Sequence, residues 1–271
     1  IVAGHHDSPY VFNFLERFPR LAGLRFFLAM VFFLFILSVG LIASAINLFH
    51  NGNWRLHGFL LITALIGLVF IIPLFFFVSN KPSPGAGDNL NGSSIAYHLG
   101  RFFADRKNQG NALWNTRLIL LSTDGEEAGQ RGARDYVKRH RQEMLSIPTI
   151  VLNFDSIYSA KDLLILTKDK HGSLPLSAHL AEACQNIARE AGYRVKTGPI
   201  PFGSGTDAAA FAEAGIGAVG MIGLPTSFFE KNRVYHTMKD TVDQIHPEAV
   251  KVALLIAANA IIRLDQSIDS K

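Results

Sequence analysis

The sequence predicts an α/β fold with a mainly parallel sheet flanked by helices, into which a two-helix transmembrane segment is inserted. Three observations support this prediction. Helical and strand-like apolar patterns alternate after residue 81. Two long stretches before that point contain no charged residue. Clusters of acids and histidines follow the predicted strands, where open α/β sheets bind their ligands.

The chain begins with a strand pattern, IVAGHHDS, that runs directly into a polar turn. We assign residues 1–20 to the N-terminal part of the domain that resumes at residue 81. We expect strands upstream of Ile1, and any signal peptide, to be missing from this sequence.

Residues 21–80 contain the uncharged stretches Phe26–Phe49 and Phe59–Val78. Each is long enough for the roughly 20 residues that a membrane-spanning helix needs. Since only HNGNWRLHG separates them, we predict a transmembrane hairpin in the lipid bilayer. The alternative is a pair of buried core helices, which uncharged runs of this length disfavour.

The charges around the hairpin bear on its orientation. Arg17, Arg20, Arg25 and Lys81 lie near its outer ends, whereas the connecting loop carries only Arg55. Positive charge is enriched on the cytosolic side of membrane proteins, so this bias favours a cytosolic domain on a multi-pass integral membrane protein. Both outer ends, and therefore the domain that they join, lie on one side.

Residues 81–271 supply the rest of the domain. Apolar periodicity predicts helices and strands in alternation. The predicted elements are a helix at 94–107, a strand at 116–123, a helix at 128–144, strands at 149–154 and 162–167, a helix at 177–191, a strand at 217–223 and a helix from Pro247.

Composition excludes two classes of function. The net charge is +4, but lysine and arginine are scattered, without a basic face interleaved with aromatics, so we expect no nucleic-acid binding. The single cysteine, Cys184, excludes an internal disulfide and a multi-cysteine metal site. It lies on the apolar face of a predicted helix and is interpreted as a core residue.

Polar clusters interrupt the alternating pattern at strand ends. They are GHHDSP at 4–9, GAGDN at 85–89, DGEEAG at 124–129, NFDS at 153–156 and YHTMKDTVD at 235–243. Histidine nitrogens and carboxylate oxygens of this kind suit zinc without help from sulfur. Any one cluster is common in proteins, and their joint order carries the information.

That joint order resembles the motif series of the M28 family of zinc aminopeptidases and carboxypeptidases. The resemblance covers nearly all of the chain outside the predicted spans and implies the zinc aminopeptidase-like, phosphorylase/hydrolase-like fold. It implies two zinc ions per chain and a peptide or protein terminus as substrate. His5 and Asp155 would hold one ion, Glu127 and His236 the other, and Asp88 would bridge the two.

Further roles follow from the same resemblance. Glu126 would be the general base that takes a proton from a metal-activated water. Asp7 resembles the carboxylate that orients a ligand histidine, and Tyr235 could donate a hydrogen bond to the oxyanion. Ala208 stands where many relatives have a histidine, and GTDAAAF is also similar to the M42 aminopeptidases.

These inferences predict a membrane-bound, zinc-dependent exopeptidase, with the aminopeptidase type favoured. A glutaminyl-cyclase-like enzyme is one alternative, but it should use one zinc and lose part of the ligand set. A catalytically inactive membrane scaffold is another, but it should have lost ligands or the base. The spans serve either as a simple anchor or to hold the site near membrane-surface substrates. Metal identity beyond ligand type, side-chain preference and oligomeric state are left open.

Overall fold

The computed structural model describes residues 1–49, 54–201, 204–225 and 234–267. The chain divides into two compact units. Unit 1 comprises Ile1–Pro9, Pro82–Thr226 and Val234–Lys271, and unit 2 includes Tyr10–Lys81. Residues 50–53 of the loop predicted between the spans, and residues 202–203, lie outside the described residues.

The strands of the described chain belong to both units. In chain order they are β1 (Val2–His5), β2 (Tyr10–Phe12), β3 (Val78–Pro82), β4 (Leu120–Thr123), β5 (Ile150–Ile157), β6 (Leu164–Asp169), β7 (Leu174–Pro175), β8 (Lys196–Pro199) and β9 (Gly217–Gly223).

The helices likewise belong to both units. They are α1 (Asn13–Arg17), α2 (Pro19–Phe49), α3 (Trp54–Ile71), α4 (Asn91–Asn108), α5 (Arg131–Ser146), α6 (Ala178–Glu190), α7 (Ala208–Glu213) and α8 (Pro247–Ser267).

Unit 1 is built on one mixed sheet with the strand order β4-β1-β5-β9-β6-β7, and β8 also pairs with β6. The pairs β1–β4, β1–β5, β5–β9 and β6–β8 are parallel. The pairs β6–β7 and β6–β9 are antiparallel. The predicted α/β class with a mainly parallel sheet flanked by helices is therefore confirmed.

Both faces of this sheet are covered, because adjacent strand residues point to opposite sides. Val2 and Leu152 pack in a core with α4, α6 and α8. Ala3 and Val151 pack in a second core with α5 and α7. Strands that are buried on both faces tend to be apolar on both, and Ile150–Leu152 with Phe154 of β5 follow this pattern.

Register at the carboxyl end of the sheet aligns two polar clusters. His5, the last residue of β1, pairs with Thr123 at the end of β4. On the other side of β1, Ala3 pairs with Asn153, two residues before Asp155 in β5. His5 and Asp155 therefore lie at the same level on neighbouring strands.

Unit 2 contains the two apolar helices. The Phe32 ring of α2 stacks with the Phe70 ring of α3 at a centroid distance of 5.9 Å. The ring of Phe32 also fills the space where Gly67 has no side chain. Phe14 and Leu15 pack with Phe12, Leu74 and Phe77 beside the β2–β3 pair. Residues 10–20, which the sequence assigned to the main domain, thus belong to unit 2.

One described helix segment, Gly23–Ile46, is long and apolar enough to cross a membrane by length and composition. The second predicted span differs from its prediction. Its apolar helical stretch, Leu60–Phe76, is shorter, and α3 ends at Ile71 before a tighter turn over Ile72–Phe76. Pro73 explains this ending, because proline cannot donate a helical hydrogen bond and clashes with the preceding turn. A two-helix transmembrane insertion is therefore not established by the structure.

Candidate metal centre

The polar clusters of the sequence meet at the carboxyl end of the parallel strands in unit 1. His5 ends β1, and Asp155 lies in the last half of β5. Glu126 and Glu127 occupy the turn between β4 and α5. Asp88 lies in the irregular turn Ala86–Leu90, and His236 lies in the segment that precedes α8.

A first group of potential ligands surrounds the imidazole of His5. His5 Nε2 lies 3.4 Å from Asp88 Oδ1 and 3.8 Å from Asp155 Oδ2. All three side chains are buried, and their ligand atoms lie within 4.8 Å of one another. This is the set that the sequence predicted for one ion.

A second group surrounds the imidazole of His236. His236 Nε2 lies 3.1 Å from Asp88 Oδ2 and 3.6 Å from Glu127 Oε2. The potential ligand atoms of these residues also lie within 4.8 Å of one another. Asp88 belongs to both groups, with one carboxylate oxygen toward each histidine. The structure thus brings together all five predicted ligands, and their metal-binding roles stay predictions.

Asp7 supports both the His5 imidazole and the glutamate turn. Its Oδ1 lies 3.3 Å from His5 Nδ1, and its backbone oxygen lies 3.1 Å from the same nitrogen. Its two carboxylate oxygens accept hydrogen bonds from the backbone N–H groups of Glu126 and Glu127, each at 3.1 Å. Asp7 therefore orients His5 and the glutamate turn and is not itself one of the potential ligands.

The donor set fits a divalent cation, because His5 Nε2 faces carboxylate oxygens of Asp88 and Asp155 at 3.4 and 3.8 Å. In the neutral imidazole with Nδ1 donating to Asp7, Nε2 presents a lone pair. This buried nitrogen has no hydrogen-bond partner among the described residues and faces two carboxylates. That lone pair would repel the carboxylate oxygens, so the arrangement calls for a proton or a metal cation between them.

The acids of the group shift one another's pKa. Burial and the charge of Asp155 raise the pKa of Glu126 to about 9. Burial and the charge of Asp88 raise the pKa of Glu127 to about 10. Burial also raises the pKa of Asp155 to about 7. Each negative charge in the site makes ionisation of its neighbours less favourable, and bound cations would stabilise the charged forms.

The remaining members of the group shift in the opposite sense. Burial opposes the charge of His5, but its contacts with Asp7 and Asp88 raise its pKa above the ordinary value. Burial likewise opposes the charge of Asp88, but hydrogen bonds with His236 and His5 hold its pKa below the ordinary value. Asp88 is therefore the most persistent negative charge of the group.

Tyr235 precedes His236 and lies beside it, with ring centroids 3.9 Å apart. Burial and the charge of Asp88 raise the pKa of Tyr235 well above its ordinary value, so its hydroxyl remains protonated and able to donate. Ala208 is completely buried at the start of α7. The position where many relatives have a histidine therefore offers no polar group to a substrate here.

Three supporting residues were not assigned by sequence reasoning. Ser156 Oγ donates to Asp155 Oδ1 at 2.8 Å. Asn89 donates to the backbone of Phe154, and Asp240 accepts from the backbone that carries Asp88. Each lies in a polar cluster that the sequence had marked, but only the fold reveals its partner.

Solved structures resemble this fold. The zinc aminopeptidase BSAP from Bacillus subtilis matches with a TM-score of 0.54 and 23% identity, over 67% of this chain and 43% of its own. The LapA aminopeptidase from Legionella pneumophila matches at 0.54 and 21%, over 69% and 48%. A glutaminyl cyclase from an Acidobacteriales bacterium matches at 0.54 and 21%, over 68% and 63%.

These likenesses define the class of fold, that of the zinc aminopeptidases, and this chain spans less than two thirds of each of those proteins. A search of curated proteins found no match. The sequence model of peptidase family M28 matches residues 75–261. The chain therefore belongs to peptidase family M28, as its motif series predicted.

Proposed function

We propose that this protein is a membrane-bound, zinc-dependent exopeptidase of the aminopeptidase type that holds two zinc ions. The observation that carries the proposal is the position of Asp88, whose two oxygens face His5 and His236 at 3.4 and 3.1 Å. A carboxylate shared by two histidine-containing groups is suited to bridge a pair of cations. The substrate would be a peptide or a protein terminus.

Zinc bound by these residues would lower the pKa of water and polarise the scissile carbonyl. His5 and Asp155 would hold one ion and Glu127 and His236 the other. The role of the protein is to keep the donor atoms apart at fixed distances. Asp7 contributes by locking the His5 imidazole with Nε2 directed into the site.

Glu126 is positioned to move the proton of the reaction. A carboxylate oxygen of Glu126 would accept a proton from the attacking water and return it to the departing amine. Its backbone N–H donates to the Asp7 carboxylate, which fixes the turn that carries Glu126. The protonated hydroxyl of Tyr235 would donate to the oxygen on which negative charge develops.

Attachment to a membrane forms part of the proposal. The segment Gly23–Ile46 supports it by length and composition, and most of its side chains are exposed. Leu60–Phe76 would complete a hairpin alongside it, as the Phe32–Phe70 stacking suggests. Both outer ends of such a hairpin would be on the side of unit 1, and the charge bias favours the cytosolic side.

Metal content and activity of the detergent-purified full chain test the proposal together. We expect about two zinc ions per chain and hydrolysis of aminoacyl chromogenic substrates. Glu126→Gln should retain the metal and lose at least about 100-fold in kcat, because it removes the proton acceptor but no ligand. Glu143→Gln, an exposed acid of α5, is the control and should behave as the wild type.

Other outcomes would contradict parts of this proposal. A chain without zinc or turnover would be a membrane scaffold. One zinc per chain, together with release of ammonia from glutaminyl peptides, would indicate cyclisation, a reaction named for one protein of similar fold. Cleavage restricted to peptides with a free carboxyl terminus would replace the aminopeptidase by a carboxypeptidase.

A further inference from the structure

Asp240 is completely buried, and it binds the backbone of the turn that carries Asp88. Its Oδ1 accepts from the N–H of Gly87 at 2.7 Å, and its Oδ2 accepts from the N–H of Asp88 at 3.1 Å. Its backbone oxygen accepts from the N–H of Ala86 at 3.2 Å. Three consecutive backbone donors therefore find acceptors on one residue.

The turn is also held tightly on its other side. The ring of Tyr158 lies so close to Gly87 that an added Cβ would be 2.0 Å from it. The Tyr158 hydroxyl in turn adjoins the Asp240 carboxylate. Buried N–H groups without acceptors are costly, so loss of Asp240 would force the backbone of the turn to rearrange. Asp88 would move with it.

Asp240 also fixes Asp88 relative to His236. Asp240 lies four residues after His236, and the intervening turn is closed by the Asp240 N–H donating to the Thr237 oxygen at 3.2 Å. One short segment thus supplies a histidine of the second ligand group and the anchor of the shared carboxylate. His236 Nε2 and Asp88 Oδ2 meet at 3.1 Å within this frame.

We propose that Asp240 is a positioning residue that sets zinc affinity by holding Asp88 against His236. This inference rests on the proposed function, because it assumes that Asp88 and His236 are ligands. Carboxylates that orient metal ligands typically contribute about 10- to 100-fold to metal affinity. The Asp240 carboxylate would position Asp88 by binding the backbone of Asp88, not the Asp88 side chain.

The chain offers a matched control for the test. Asp265 is also a buried carboxylate whose two oxygens accept from consecutive backbone N–H groups, those of Trp114 at 3.0 Å and Asn115 at 2.8 Å. It belongs to neither ligand group. Asp265→Asn therefore reproduces the loss of a backbone anchor without touching the site.

The experiment measures the zinc dissociation constant of the full chain by chelator competition, together with thermal unfolding of the metal-free protein. Asp240→Asn should weaken zinc binding by about 10-fold or more. Asp265→Asn should lower the Tm and leave zinc affinity within about twofold of the wild type. Tyr158→Phe is the milder variant, used if Asp240→Asn does not fold, and it should weaken zinc binding by a smaller factor.

Two results would overturn this inference. If Asp240→Asn loses only thermal stability, as Asp265→Asn does, while zinc affinity is unchanged, Asp240 is merely structural. If Asp240→Asn does not fold, unchanged zinc affinity in Tyr158→Phe leads to the same conclusion. A wild-type chain that binds no zinc would instead remove the proposed function, and this inference with it.

Discussion

Single carboxylate side chains position the candidate site by binding the backbone of distant turns. Asp7 and Asp240 both accept two consecutive backbone N–H groups, yet one orients a glutamate turn and the other a predicted bridging ligand. The two carboxylates differ in function because they bind different turns, one at Glu126–Glu127 and the other at Gly87–Asp88. Carboxylates used in this way are invisible to composition, because their contacts span more than a hundred residues of sequence.

Burial also controls Cys184, which lies in the core of α6 and is 2% exposed. Burial raises the pKa of its thiol from 9.0 to about 12. We expect the native protein at pH 8 to react with a thiol reagent at least about 100-fold more slowly than the unfolded chain. Absorbance at fixed reagent concentration measures both rates, and equal rates would contradict the buried position.

The same thiol shift has a definite sign in the stability of the protein. Above pH 9 the unfolded chain loses the Cys184 proton, while the native thiol keeps it until about pH 12. The contribution of this thiol to the free energy of unfolding is complete below pH 9 and declines as the pH rises from 9 to about 12.

At the scale of elements, the site depends on a close approach of β1 to α4. A Cβ on Gly4 would lie 2.4 Å from the backbone carbon of Gly92, where neither partner can yield. This contact brings the start of α4 against the strand that ends in His5. The turn carrying Asp88 precedes α4 directly, so the spacing of β1 and α4 also sets the spacing of Asp88 and His5.

We expect Gly4→Ala to destabilise the protein by about 1–3 kcal/mol, because overpacking forces the backbone apart. Gly217→Ala in β9 is the matched control, since its Cβ would meet its nearest neighbour at 3.8 Å. It should change stability by less than about 0.5 kcal/mol. Denaturant unfolding of the two variants gives the comparison, and equal effects would show that the β1–α4 contact can relax.

Elements with strong periodicity were predictable from the sequence. α6 was expected at 177–191 and occupies Ala178–Glu190, with Ser177 as its N-cap. β8, with the sequence KTGP, was not predicted, because a short polar edge strand has neither alternation nor an apolar run. The second apolar segment was predicted as one span, but Pro73 ends its helix early.

The site was predictable as a set of residues but not as a geometry. Histidines and acids at strand ends marked His5, Asp88, Glu127, Asp155 and His236, and the fold brings these five together. The anchors behind them could not be predicted, because Asp240 meets the turn at Asp88 only through the tertiary fold. Local pattern carries no information about such a pairing.

At the scale of the whole molecule, residues 10–81 of unit 2 are inserted into unit 1 between Pro9 and Pro82, which lie close together in space. The N–H of Ser83 donates to the carbonyl of Pro9 at 2.8 Å, so the ends of the insertion meet. A short linker would therefore be enough to join Pro9 to Pro82 without residues 10–81. None of the described residues between 10 and 81 belongs to its two cores.

We expect the full chain to stay with membranes through alkaline extraction, and a variant with residues 10–81 replaced by a short Gly-Ser linker to be released. The variant should still fold and bind zinc, because the ends to be joined already lie in contact. Fractionation and elemental analysis measure both properties. Release of the full chain would contradict membrane attachment, and an unfolded variant would show that unit 1 depends on unit 2.

The place of β1 between β4 and β5 has a consequence for the order of events during synthesis. Val2 pairs with Leu120 on one side and Leu152 on the other, so β1 is made well before either partner strand. Every residue of unit 2 between 10 and 81 leaves the ribosome in that interval. The partner strands of β1 therefore become available only after residues 10–81 have been synthesised, so both apolar helices are complete before the sheet can form around β1.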